Sequence, residues 1–131
     1  MPDTLITDLR AAILNDATLA ASLSTRVYPE LAPQSAVTPF LVYTEVSLFT
    51  DQDLAGTNGN REKRVQFDFY TSTKSQGHDL REALLAEFDG LQGTIGSSQV
   101  QHISLEGTSN SFDTEDRLYR YQVEFIIHYI I

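Results

Sequence analysis

The C-terminal stretch LYRYQVEFIIHYII (118–131) constrains the fold more than any other. Tyr119, Tyr121, Val123, Phe125, Ile127, Tyr129 and Ile131 recur at strict period two, the spacing of side chains on one face of a strand. Between them lie Arg120, Gln122 and Glu124, then Ile126, His128 and Ile130. The second face thus turns apolar towards the C-terminal end. A sheet covered by helices on one side has no use for apolar residues on the other. Ile126, His128 and Ile130 are therefore assigned to contact with another subunit.

Two more stretches read as strands. FLVYTEVSLF (40–49) is rich in β-branched and aromatic residues. In 63–71, Val65, Phe67 and Phe69 alternate with Arg64, Gln66, Asp68 and Tyr70. QVQHISLE (99–106) is a weaker strand. Asp3 or Thr4 can cap a first helix carrying Leu5, Leu9, Ala12 and Ile13 on one face, and Asp16 can cap a second over 17–23. Pro29, Pro33 and Pro39 make RVYPELAPQSAVTP an extended connection. A third helix over 75–91 carries Leu80, Ala83, Leu84, Phe88 and Leu91, and Gly90 and Gly93 end it. The expected fold is a single α+β domain over 1–131. Its sheet is single, mainly antiparallel and four-stranded, with helices on one face, in the order α-β-β-α-β-β. Residues 50–60 and 107–116 read as long polar loops, mobile in the free chain.

Composition limits the function. No stretch approaches the ~20 apolar residues that span a bilayer, and the opening MPDTLITDLR lacks the basic-then-apolar pattern of a secretory leader. There is no cysteine, hence no thiolate metal site and no cysteine nucleophile. A net charge of −9 opposes tight binding to phosphate backbones. His78, His102 and His128 fall in no metal-binding spacing, and no P-loop or nucleophile elbow is present. Asp68 could serve as a general base, but its place in the alternation favours a cross-strand partner such as an arginine of the last strand. No metal or cofactor is called for.

Two clusters remain. Residues 51–62 (DQDLAGTNGNRE) match a calcium-binding loop at Asp51, Asp53, Gly56 and Glu62. Ala55 stands at a ligand position, Asn58 follows where an apolar residue is usual, and the flanks are strands. Arg61, Lys63 and Arg64 gather three of the nine cations at one strand entrance. With the acidic Asp113, Glu115 and Asp116 they suggest complementary edges between subunits or towards a partner.

The order of these motifs resembles a known family. AAILNDATLAASLSTRVYPELAP (11–33), TPFLVYTEVS (38–47), LAGTNGNREKRVQFDFYT (54–71) and the closing YRYQVEFIIHY are similar to the tail-completion proteins of long-tailed bacteriophages, also called tail terminators or tail-to-head joining proteins. Tyr70 stands where many relatives carry tryptophan. The resemblance implies a virion structural protein without enzymatic activity, present in the host cytoplasm during assembly and then in the tail–neck region. It implies a ring, a hexamer on the tail, at the head-proximal end of the tail tube. Its partners would be further copies of itself, the tail tube protein and a head-completion protein. DNA would pass through the ring without specific binding. The alternatives are a small calcium- or ligand-binding module using 51–62 and a hydrolase built on scattered carboxylates.

Overall fold

The computed structural model describes residues 3–131, with the side chains of Thr57 and Asn58 outside the description. The Asn58 position of the calcium-loop reading, and Met1 and Pro2 of the opening stretch, therefore lie outside the described residues.

Helices α1 (Leu5–Asn15) and α2 (Ala17–Leu23) form as the capping signals predict. The Asp16 carboxylate accepts from the Leu19 backbone N–H at 2.9 Å, closing the first turn of α2 and separating it from α1. Thr4 takes the cap position of α1, while the Asp3 side chain accepts from the Leu5 N–H at 3.1 Å. A short strand, β1 (Val27–Pro29), precedes the hairpin β2 (Phe40–Asp53) and β3 (Gly56–Thr71). Helix α3 (Lys74–Phe88) follows, capped by the Thr73 hydroxyl on the Gln76 N–H. It leads through β4 (Gly93–Ile95) to a second hairpin, β5 (Ser98–Asp113) and β6 (Leu118–Ile130).

The strands make one six-stranded sheet, ordered β1-β2-β3-β6-β5-β4. Only β1 pairs in parallel, with β2; the other pairs are antiparallel. This corrects the expected architecture. The sheet has six strands rather than four, it is mixed, and the order is α-α-β-β-β-α-β-β-β. The two added strands are three residues each. Such short strands carry no readable period, and Pro29 and Gly93 at their ends are residues that normally argue against strand. The polar stretches read as loops also belong largely to the ladder: Asp53 pairs with Gly56, and Asp113 with Leu118.

The core lies on one side of the sheet. Val65, Phe67 and Phe69 of β3, with Tyr121, Val123, Phe125, Ile127 and Tyr129 of β6, form one cluster with Leu5, Leu9 and Ile13 of α1, Leu19 and Leu23 of α2, and Leu80, Leu84 and Phe88 of α3. Phe67, Phe88 and Phe125 contact one another with ring centroids 6.1–6.2 Å apart. Each such contact adds about 0.5–1.5 kcal/mol to the burial of the rings. The opposite face carries Arg64, Gln66 and Asp68 of β3 and Glu124, Ile126, His128 and Ile130 of β6, with Arg64 beside Ile126 and Gln66 beside Glu124. No helix packs on that face among the described residues.

Candidate functional site

The alternation of β3 splits the basic cluster between two faces. Arg61 and Lys63 share the core side with Val65, whereas Arg64 lies on the open side. Lys63 is buried, its ammonium 3.2 Å from Asp3 Oδ2 and 3.4 Å from Glu45 Oε1. Arg61 Nη1 reaches the same Asp3 oxygen at 2.9 Å, and the Tyr129 hydroxyl donates to it at 2.6 Å. Three side chains, two from β3 and one from β6, thus converge on one carboxylate. A buried ammonium needs such pairing, because an unpaired one would bear the full desolvation cost. Burial opposes the charge on Asp3. The hydrogen bonds from Tyr129, the Leu5 backbone and Lys63 outweigh it and hold the carboxyl below its usual value. Burial, then the Asp3 hydrogen bond, raises the Tyr129 hydroxyl well above its ordinary value. The cluster ties the segment before α1 to the end of the sheet.

Arg64 is paired as well. Its guanidinium lies 3.4 Å from Glu124 and 3.8 Å from Glu106 on the open face. Within one subunit each of the three cations meets a carboxylate.

Asp113, Glu115 and Asp116 sit at the other end of β6, in the turn of the β5–β6 hairpin. Asp113 Oδ1 accepts from the backbone N–H groups of Glu115 and Asp116 at 2.9 and 3.2 Å, which shapes the turn. The carboxylates of Glu115 and Asp116 stay exposed. Within one subunit the structure does not bring them to Arg61, Lys63 or Arg64. Ile126, His128 and Ile130 form a half-buried row on the open face. His128 Nε2 is 3.5 Å from Glu62 Oε1, and His102 stands opposite His128 on β5.

The calcium-loop pattern becomes a tight hairpin. Asp51 and Asp53 lie on β2 and Glu62 on β3 opposite Phe49, with only Leu54 and Ala55 between the strands. The Asp53 side chain accepts from the Ala55 N–H at 2.8 Å instead of facing an ion. A calcium loop must curl its oxygens about one centre, and a ladder pulls them apart. Among the described residues no three His, Asp or Glu side chains are grouped to hold a metal.

Asp68 pairs with Arg120 as its alternation suggested, Nε to Oδ1 at 3.1 Å, and it also accepts from the Gln66 amide at 2.9 Å. Phe40 stacks on Tyr70 beside this pair at 5.0 Å, and residues 30–38 enclose a groove of about 710 Å³ against Phe40, Val42 and Tyr70. Sequence reasoning missed the exposed apolar residues on the outermost long strands: Val46, Leu48 and Phe49 on β2, Leu105 and Phe112 on β5, with Leu54 at the β2–β3 tip. Those of β2 lie in a strand read from the sequence, but their exposure follows from the strand order.

The sheet thus carries its helices on one side and a charged hairpin at each end. The family model described as "Tail completion protein gp17" matches residues 7–130, and the chain belongs to that family. It is a structural component of the phage tail and of the virion. In fold it is similar to a chain from the virion of a native gene transfer agent particle, with a TM-score of 0.76 at 14% identity, covering 99% of this chain and 100% of that one. No curated protein matches the chain.

Proposed function

We propose that the chain closes into a ring, a hexamer on the tail, at the head-proximal end of the tail tube. There it stops tube growth and presents a surface to the head-completion protein, and DNA passes through its centre. The observation that carries this reading is the family match over residues 7–130. The likeness to a virion chain over the whole fold agrees with it. The subunit performs no chemistry in this role.

The architecture suits the role in three ways. A ring repeats one contact between two unlike surfaces, and the sheet offers two unlike sides. Glu115 and Asp116 at one end of the sheet, and Ile126, His128 and Ile130 on its open face, are assigned to subunit, tube or neck contacts. Asp113 supports the first two by holding their turn. Arg64, partly exposed, can reach a neighbour, while Arg61 and Lys63 serve indirectly by holding the sheet end in shape. The tips of both hairpins are the segments free to order against the tube or the neck. A net charge of −9 also keeps passing DNA from adhering.

Polymerisation of the tube protein in the presence of the chain tests the reading. Addition of the chain at a few copies per tube is expected to arrest elongation at one end and shift the tube lengths downward. Unchanged lengths at saturating chain would overturn it.

A further inference from the structure

The sheet ends on two different edges, and among the described residues each runs on without a neighbouring strand for a similar length. On one side, β1 covers β2 along Leu41 to Tyr43, and the Glu30 N–H meets the Tyr43 carbonyl at 2.9 Å. No described strand covers the outer side of residues 45–53. On the other side, β4 covers β5 from Ser98 to Val100, and the backbone of Gly90 and Leu91 closes on Ile103 at 2.9 and 3.1 Å. No described strand covers residues 105–113.

These stretches read EVSLFTDQD and LEGTSNSFD. Free edges commonly carry lysine or proline, which discourage a further strand, and neither stretch holds either residue. Both carry exposed apolar side chains instead.

Their geometry is complementary. β2 and β5 run in opposite directions, so a neighbouring copy in the same orientation sets its β2 antiparallel to this β5. Phe49, the centre of the first stretch, is level with Glu62 on β3. Ser109, the centre of the second, is level with Gln122 and hence with Asp68 on β3. The run from Glu62 to Asp68 is about 20 Å of strand. The repeat β2-β3-β6-β5 is about 19 Å wide. Successive copies would step along the strands about as far as they step across, which tilts the strands by roughly 45°, close to the tilt in closed barrels.

We propose that residues 45–53 of one copy pair antiparallel with residues 105–113 of the next, so that one continuous sheet runs around the ring. This rests on the ring reading above. With the two centres opposed, Leu48 meets Asn110 and Ser47 meets Ser111 of the next copy, each pair sharing one side of the sheet, up to the β2 bulge between Glu45 and Ser47. Pairing β2 with β2 would instead close a two-fold dimer and leave β5 bare.

The absence of cysteine makes a direct test clean. The double variants F49C/S109C and F49C/N110C place thiols at exposed positions on the two edges in adjacent registers, and a disulfide requires Cα atoms about 4.4–6.8 Å apart. Each is assembled on purified tail tubes, oxidised and run on a non-reducing gel. A ladder of linked copies from at least one double variant, and none from the single variants, is expected. Dimers from F49C alone overturn the proposal. No ladder, with rings visible on the tubes by electron microscopy, overturns edge pairing and leaves the ring reading standing. No assembly on tubes at all overturns both.

Discussion

Asp68 Oδ1 lies 3.1 Å from Arg120 Nε across β3 and β6, and the aspartate is buried although it sits on the face that carries no helix. Its second oxygen is taken by the Gln66 amide. A buried carboxylate is tolerated because both oxygens are engaged. Arg120→Ala leaves it partly unpaired and is expected to cost about 2 kcal/mol, a buried-pair loss reduced by the exposure of Arg120. Asp68→Asn in the Arg120→Ala background should recover part of that. Urea unfolding of the two single variants and the double variant measures the coupling. Additive losses would contradict it.

Gly77 faces the ring of Tyr121 so closely that a Cβ there would enter the ring's space, and Thr71 Oγ1 would stand 3.1 Å from it. Tyr121 is itself held, its hydroxyl donating to the Lys74 carbonyl at 3.2 Å. Gly77→Ala is therefore expected to destabilise the chain by about 1–3 kcal/mol, despite alanine's better helix propensity. Gly107→Ala serves as the control, since nothing lies within 4 Å of its Cβ position. Equal unfolding midpoints for the two variants would refute the packing argument.

Asp3 links acid stability to the buried cluster. Its folded carboxyl lies below its ordinary value of 3.8, so its contribution is fully present above that value and is lost as pH falls through the lower folded one. Tyr129 works in the opposite sense. Its folded hydroxyl is raised from 10.0, so its contribution holds below pH 10 and fades above it. Thermal melts from pH 2 to 5 should fall less steeply for Asp3→Asn than for the parent chain. Parallel curves would show that Asp3 carries no net linkage.

The β5–β6 tip separates stability from assembly. Glu115 and Asp116 are exposed at the turn that Asp113 holds. Reversing both to lysine is expected to change stability by no more than about 0.5 kcal/mol. The same variant should lose tail-to-head joining in a complementation assay. Full joining by a folded variant would remove the acidic tip from the interface.

The parts of this fold that bury one face of an element were legible. Period two in 118–131 marked β6, and the alternation around Asp68 implied its pairing across the sheet. Asp16 announced the start of α2. What stayed hidden has definite physical causes. β1 and β4 are too short for a period, and their Pro29 and Gly93 speak against strand. Residues 107–112 (GTSNSF) pair along their whole length but are exposed, so burial imposes no apolar alternation on them. Lys63 looked like a surface cation because the carboxylate that permits its burial, Asp3, is sixty residues away in sequence. The bare edges could not be inferred before the strand order was known.

In the proposed role the subunit assembles at a tube end. Electron microscopy of the chain mixed with purified tail tubes tests this most directly. The expected result is an annular density on one end of each tube, with an open central channel and a rotational repeat of one subunit. Tubes with both ends bare, at chain concentrations well above that of the ends, would contradict it.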